Sequence, residues 1–217
     1  MIIAIDGPAG SGKSTIAKLL ATRLDFAYLD TGAMYRAVAL AGMRRGIDWA
    51  QPDLLAELSR QIQIRMVGPR IFLDGEDVTD EVRSSSVTAV TRYAAGNAQV
   101  REQLVALQQS LADQQNIVTE GRDQGTVAFP NARCKFFVTA SPEERARRRV
   151  LDLQQRGEQA DFEVVLADQQ RRDREDASRA VGPLKPAADA IEVLTDGLTI
   201  DEVVDRLVAS YELRVTR

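Results

Sequence analysis

The sequence predicts an α/β fold built on a doubly wound parallel sheet with helices on both faces. Three observations predict it. Apolar, strand-like runs alternate with helical patterns along most of the chain, the first strand runs through a glycine-rich loop into a helix, and one internal segment has the alternating pattern of a small antiparallel insert. A length of 217 residues fits a single domain of this class.

The first strand and helix enclose the most informative motif. The apolar run Ile2–Ile5 predicts a buried strand, and an apolar-periodic helix begins at Lys13. Residues 7–14 between them match the P-loop pattern G-x-x-x-x-G-K-[ST]. Glycines let several backbone N–H groups approach one anion, and the helix N-terminus attracts it. The motif therefore predicts nucleoside triphosphate binding.

Within this loop, Lys13 offers a cation for the outer phosphates, and the Ser14 hydroxyl can ligate Mg²⁺. The expected cofactor is Mg²⁺, with ATP as co-substrate. The predicted ATP-binding residues are Gly7, Pro8, Ala9, Gly10, Ser11, Gly12, Lys13, Ser14 and Thr15.

Composition excludes several classes of enzyme. The chain has no histidine, which excludes Ser-His-Asp hydrolases, Cys-His proteases and histidine zinc sites. Its 28 basic residues are 24 arginines and 4 lysines, and arginine matches phosphate oxygens bidentately. A net charge of −4 argues against a general nucleic-acid binder. With no apolar run long enough to span a membrane and no signal peptide, we expect a cytoplasmic protein.

The segment after the first helix predicts a strand, two helices and the insert. Residues 26–29 are a short strand, and Asp30 or Thr31 can cap a helix that continues to about Gly46. Arg36 lies one turn into this helix, near its anion-attracting end. A helix is expected at 53–60. Residues 62–79 then predict a hairpin or three-stranded piece that is not part of the parallel sheet.

The second half returns to the strand–helix alternation. The expected order is helices at 84–95 and 98–113, a strand at 116–119, a polar loop at 120–126, a strand at 136–138, a helix capped by Ser141 and Pro142, a helix at 161–175, a strand at 191–194 and a helix at 200–213.

Arginines are frequent between residues 145 and 179. For Arg145, Arg147 and Arg156 a solvated helix face is an open alternative to a phosphate contact. Arg172 and Arg179 flank Asp176 at helical spacing, on one face if the helix persists, and this pattern favours a phosphate-binding group.

The arginines favour one kind of reaction. A hydroxyl acceptor usually needs a carboxylate to take its proton, whereas the oxygen of a monophosphate is mostly anionic at pH 7. Transfer to a phosphate therefore needs cations that hold two polyanions in line, and no base. The chain offers arginines at positions 36, 122, 148, 149, 172 and 179.

Four longer motifs give a resemblance that runs nearly end to end. They are the segments 30–36 (DTGAMYR), 121–130 (GRDQGTVAFP), 141–148 (SPEERARR) and 179–184 (RAVGPL). With them the sequence resembles the bacterial-type cytidylate (CMP) kinases, of the nucleoside monophosphate kinase group of P-loop kinases. The resemblance implies a P-loop NTPase-like five-stranded sheet and transfer of a phosphoryl group from ATP to CMP or dCMP. It also implies a core (about 1–35, 97–145 and 180–217), an acceptor-binding insert (about 36–96) and a mobile lid (about 146–179).

The resemblance also assigns residue roles. It implies that the acceptor phosphate is bound by Arg36, Arg122 and Arg179, the ribose by Asp176 with Arg172, and the cytosine by Thr31, Arg101 and Asp123. Arg148 and Arg149 would belong to the lid over the transferring phosphate. The catalytic residues are then Lys13, Arg122, Arg148, Arg149 and Arg179. A carboxylate at Asp123 can accept from the cytosine amino group. Where many relatives carry a small hydroxyl residue this chain has Arg92, and Thr91 is the expected substitute.

Two alternatives remain open. One is a kinase of the same scaffold that acts on a hydroxyl acceptor, as shikimate- and gluconate-type enzymes do. The other is an ATP-binding module without catalysis. The expected partners are small nucleotides, without nucleic acid or membrane, and the expected state is a monomer.

Overall fold

The structure, a computed structural model, describes residues 1–113, 115–155 and 157–215. Its strands are β1 (Ile2–Asp6), β2 (Ala27–Asp30), β3 (Ile64–Val67), β4 (Arg70–Leu73), β5 (Glu76–Asp77), β6 (Ile117–Gly121), β7 (Cys134–Thr139) and β8 (Ile191–Leu194). Its helices are α1 (Lys13–Leu24), α2 (Thr31–Arg44), α3 (Pro52–Gln61), α4 (Ser85–Gly96), α5 (Ala98–Ala112), α6 (Pro142–Gln155), α7 (Phe162–Ala177) and α8 (Ile200–Val215).

The main sheet has five strands in the order β2-β6-β1-β7-β8. β1 pairs in parallel with β6 and with β7, and β7 pairs in parallel with β8. Because the order places β2 and β6 on one side of β1 and β7 and β8 on the other, the sheet is doubly wound, with the switch point at β1. The predicted five-stranded parallel sheet is confirmed.

The central strand is apolar because it is covered on both faces. Ile3 and Ile5 of β1 are fully buried, as is Phe136 of β7. From α1, Ile16 and Leu20 are buried, and this helix packs against β6 and α8. The apolar run and the helical period that the sequence shows are therefore both used in one core.

The chain forms two compact units. One contains residues 1–26 and the described residues from Asn116 onward, and the other contains Ala27–Gln115. The second unit includes a three-stranded antiparallel sheet, β3-β4-β5, which confirms the predicted insert. In this unit Arg44 of α2 makes ion pairs with Glu76 and Glu81. The division into core, acceptor-binding insert and lid stays a prediction.

Several boundaries differ from expectation for identifiable reasons. α2 ends at Arg44 because Gly46 adopts a left-handed φ of 61°. The segment 120–126 is not one loop: β6 extends to Gly121, and a π-helical turn follows from Gln124 to Ala128. α7 ends at Ala177, so Arg179 lies beyond the helix. Among the described residues, no helix has the length and apolarity needed to cross a membrane.

Candidate active site

The P-loop follows β1, and two of its glycines are required for different reasons, one by a close contact and one by its backbone conformation. A Cβ at Gly7 would lie 2.0 Å from the carbonyl oxygen of Val138 in β7. Gly12 is the N-cap of α1 and has a left-handed φ of 84°. The loop between β1 and α1 thus confirms the strand–loop–helix context in which this motif binds phosphates.

Lys13 and Ser14 meet one carboxylate, Glu120, at the end of the neighbouring strand β6. Lys13 Nζ donates to the carbonyl oxygen of Pro8 at 3.1 Å and lies 3.8 Å from Glu120 Oε2. Ser14 Oγ donates to Glu120 Oε1 at 2.6 Å. The sequence analysis gave Glu120 no role. Its position at the carboxyl end of a strand next to β1 was the signal that could have identified it.

Burial changes the acidity of Lys13. Desolvation, together with the positive charge of Arg122, lowers the pKa of this lysine from 10.5 to about 8, although Glu120 and Asp176 act in the opposite direction. The effect of Arg122 and Asp176 on Lys13 means that these charges lie within electrostatic reach of the P-loop. Lys13 is still mostly an ammonium at pH 7, and a bound polyphosphate would raise its pKa again.

Asp6, the last residue of β1, is a second buried carboxylate that the sequence analysis did not assign. It accepts hydrogen bonds from the backbone N–H groups of Gln124 (2.7 Å) and Gly125 (2.8 Å). Burial nevertheless raises its pKa to about 6. Asp6 therefore fixes the π-helical turn that begins after Asp123.

Asp176 holds two of the predicted phosphate-binding arginines. Arg122 Nε donates to Asp176 Oδ2 at 2.8 Å, and Arg179 Nη2 donates to the other oxygen, Asp176 Oδ1. We call Arg122, Asp176 and Arg179 the arginine cluster. The spacing argument held only if the helix persisted to Arg179; α7 ends at Ala177, but the turn after it returns this side chain to Asp176.

Two further predicted arginines lie near the arginine cluster. Partial desolvation, and then the charge of Arg122, lowers the pKa of Arg172, and Asp176 opposes this effect. Arg149 contributes a smaller like-charge effect on Arg172. The structure therefore brings Arg122, Arg149, Arg172 and Arg179 into one positive region, in which Asp176 bridges Arg122 and Arg179.

Arg148 makes a different set of contacts. Its guanidinium donates to Glu144 Oε1 at 3.0 Å and to the hydroxyl and carbonyl oxygens of Thr195 at 3.0 and 3.1 Å. A Cβ at Gly12 would lie 3.7 Å from Arg148 Nη1. This arginine is thus held beside Gly12 of the P-loop.

The interpretation of the neighbouring arginines as solvated holds for one and fails for another. Arg147 is exposed and pairs only with Glu144 in α6 among the described residues. The interpretation fails for Arg145, which is only 4% exposed. Its buried polar atoms bond to carbonyl oxygens and to a carboxylate. Arg156 lies outside the described residues.

Three further predicted site residues, Arg36, Thr31 and Arg101, belong to the second unit. Arg36 Nη2 pairs with Asp30, the residue that also caps α2 through the N–H of Ala33. Thr31 is buried at the first position of that helix. Arg101 is 2% exposed, donates to the carbonyl oxygen of Ala95, and lies over the ring of Tyr35 at 5.5 Å.

The residues predicted to read a base differ in their surroundings. Asp123 is 3% exposed at the start of the π-helical turn. Arg92 is exposed, and its guanidinium lies 4.9 Å from the ring of Tyr93. Thr91 Oγ1 donates to the carbonyl oxygen of Val87 at 2.8 Å, so this hydroxyl keeps only its acceptor capacity for a ligand.

The donor atoms near the P-loop fit Mg²⁺. A hydroxyl oxygen of Ser14 and a carboxylate of Glu120 lie side by side, and hard oxygen ligands are those that Mg²⁺ prefers. Within the described ranges no group of three or more acidic or cysteine side chains could hold a metal by itself.

Comparison with known proteins gives consistent matches. The family model for cytidylate kinase matches residues 3–213. A cytidylate kinase of Rhodopirellula baltica is 51% identical over 203 residues, which are 94% of this chain and 89% of that protein. One of Desulfitobacterium hafniense is 48% identical over 216 residues, 98% of this chain and 93% of that protein.

Among solved structures, a shikimate kinase of Aquifex aeolicus covers 100% of this chain and 99% of its own, at 15% identity and a TM-score of 0.42. A likeness at that score carries no argument about function.

Proposed function

The chain belongs to the cytidylate kinase family, and from this premise we propose how its residues carry out the reaction. The protein is an enzyme that transfers a phosphoryl group from ATP to CMP. We further propose that dCMP is an acceptor, that Mg²⁺ accompanies ATP, and that the site residues have the roles developed below.

The observation that best supports these roles is the proximity of donor-side and acceptor-side charges in the first unit. Arg122 and Asp176 both alter the pKa of Lys13, so the P-loop cation and the arginine cluster act on one region of space. A transferred phosphoryl group, which repels its anionic acceptor, needs such an arrangement of cations.

We propose that each of these groups either holds a phosphate or neutralises its charge. The P-loop backbone and Lys13 would bind the outer phosphates of ATP, and Ser14, with Glu120 behind it, would hold Mg²⁺, whose positive charge would help to neutralise the phosphates. Arg122 and Arg179 would orient the acceptor phosphate, with Arg36 as a third contact. Arg148 and Arg149 would balance charge on the moving group. In this reaction no side chain removes a proton.

The same proposal assigns the nucleoside contacts. Asp176, with Arg172, would contact the ribose, and Thr31, Arg101 and Asp123 the cytosine. The domain division predicted from the sequence, monomeric state, cytoplasmic location and lack of nucleic-acid binding stay predictions.

A panel of acceptors tests the reaction. With ATP and Mg²⁺, we expect CMP and dCMP to give the fastest ADP release, ahead of UMP, AMP, shikimate and gluconate. A hydroxyl acceptor that outpaced every monophosphate would contradict the proposal, as would negligible turnover with all of them. The comparisons do not favour either of these alternatives.

Asp123 supplies a separate prediction about specificity. Replacing Asp123 with alanine should reduce the preference for CMP over UMP by about 1–3 kcal/mol, the scale of one directional base contact. The ratio of kcat/KM for the two acceptors is the measurement. Asp113, at the end of α5, is the matched acidic control. Unchanged discrimination in Asp123→Ala would assign base recognition to another residue.

A further inference from the structure

The P-loop is anchored to α6 and α7 by a buried arginine that the proposed chemistry does not use. Arg145 Nη1 donates to the carbonyl oxygen of Ala9, in the P-loop, at 3.1 Å. Its Nε donates to the carbonyl oxygen of Ala140 at 3.0 Å, and its Nη2 lies 2.7 Å from Asp173 Oδ2 in α7. One guanidinium therefore joins the loop, the end of β7 and α7.

A second side chain of α7 reinforces this contact. Gln169, one turn before Asp173, is buried and donates through Nε2 to the carbonyl oxygen of Arg145 at 3.3 Å. A Cβ at Gly10 would lie 3.0 Å from Gln169 Nε2 and 3.3 Å from Arg145 Cβ. The glycine at position 10 is thus needed because these side chains pack directly on the loop.

The same helix also carries the carboxylate of the arginine cluster. Asp176 lies seven positions after Gln169, about 10 Å along a helix that rises 1.5 Å per residue. It bonds to Arg122 and Arg179. One face of α7 therefore serves both regions. Gln169 and Asp173 on this face hold the P-loop through Arg145, and Asp176 holds the arginines that are proposed to bind the acceptor phosphate.

We propose that α7 sets the distance between the donor and acceptor phosphates, and that Arg145, Gln169 and Asp173 are positioning residues for the transfer. These three contact the P-loop or each other, and they act through the loop rather than on a ligand. The inference rests on the proposed function, since it assumes that the arginine cluster binds the acceptor phosphate. It also implies that residues 169–176, which lie within the predicted lid, stay attached to the P-loop.

The chemistry explains why this contact has a large effect. In-line transfer depends on the separation of the reacting atoms, and a displacement of about 1 Å can cost about 10²-fold in rate. Asp173 Oδ1 has no hydrogen-bond partner among the described residues, so the ion pair of Asp173 with Arg145 runs through Oδ2. Removing the charge of Asp173 should therefore loosen the attachment of the loop.

The test is Asp173→Asn, which keeps the shape and removes the charge. We expect kcat to fall by about 10- to 100-fold, the KM for ATP to rise, and the Kd for CMP measured without ATP to stay within about twofold. The control is Asp168→Asn on the same helix, because Asp168 pairs only with the exposed Arg171 among the described residues. Wild-type kinetics in that control are expected.

A purely structural role would give a different pattern. It would lower the unfolding temperature and the active fraction while leaving KM unchanged, and that result, or a wild-type kcat, would overturn the inference. Arg145→Lys is the second variant, since it keeps a cation but has only one nitrogen, where arginine uses three nitrogens of a planar group to reach Ala9, Ala140 and Asp173. Its kcat should fall similarly, and the double variant with Asp173→Asn should be less impaired than the product of the single effects. If the wild-type enzyme failed to use CMP, the proposed function would be wrong, which is a separate outcome.

Discussion

Replacing Lys13 with methionine should lower kcat by about 10²- to 10³-fold, the usual cost of removing one preorganised charge from a transition state. The P-loop lysine acts on the transferring group, so the Kd for CMP should change by no more than about threefold. Initial rates with saturating ATP and CMP, and CMP titration without ATP, measure the two quantities.

The same variant should not destabilise the ligand-free protein. The folded-state pKa of Lys13 is about 8 against an ordinary 10.5, so the unfolded chain binds this proton more tightly. The buried charge therefore costs roughly 3 kcal/mol at pH 7, and the cost fades as pH rises from about 8 to 10.5. Lys13→Met removes it, and we expect an unfolding temperature equal to or above that of the wild type.

Lys18→Ala is the control for Lys13, because Lys18 is exposed on the same helix. It should leave kcat unchanged. An equal loss of CMP affinity and of kcat in Lys13→Met would contradict a role on the transferring phosphoryl group. A large drop in unfolding temperature would contradict the electrostatic explanation.

Replacing Arg179 with alanine should have the largest effect, a fall of about 10³- to 10⁵-fold in kcat/KM for CMP, the scale of an arginine that stabilises phosphoryl transfer. The change removes a guanidinium from the proposed acceptor phosphate and leaves Asp176 with Arg122 as its remaining partner among the described residues. Steady-state kinetics with varied CMP give the value. Arg179→Lys should recover only part of the loss, because lysine cannot bind phosphate bidentately.

Arg171→Ala is the matched control for Arg179. Arg171 is an exposed arginine of α7 whose ion pair with Asp168, at 3.0 Å, is open to solvent. Such pairs contribute about 0–1 kcal/mol to stability, so this variant should keep wild-type kinetics. Similar losses in Arg171→Ala and Arg179→Ala would mean that general positive charge, and not a defined contact, promotes the reaction.

Local patterns made the P-loop and most elements predictable. The glycines at 7 and 12 are required by a close carbonyl and a left-handed φ, which are demands of the loop itself, and they are visible in sequence. The apolar runs predicted β1 and β7 because the burial of a strand is also a demand that its own residues must meet. The end of α7 was predicted at residue 175, two residues before its end at Ala177, and helical spacing alone did not show that the next turn returns Arg179 to Asp176.

The missed residues depend on atoms that only the fold brings together. Arg145 was left open as a solvated residue, yet its partners are backbone carbonyls of Ala9 and Ala140 and a carboxylate 28 positions later. Glu120 lay in the polar loop predicted at 120–126 without a role, because its contact with Ser14 joins the end of β6 to the start of α1. Carbonyl partners and contacts between elements distant in the chain leave no periodic signal in the sequence.

The most direct test of the proposed site is a crystal structure with CMP and a non-hydrolysable ATP analogue. We predict that the CMP phosphate lies within about 2.7–3.2 Å of guanidinium nitrogens of Arg122 and Arg179, with Arg36 as the third contact. A CMP phosphate bound away from these side chains would contradict the claim that arginines alone hold the acceptor for in-line transfer.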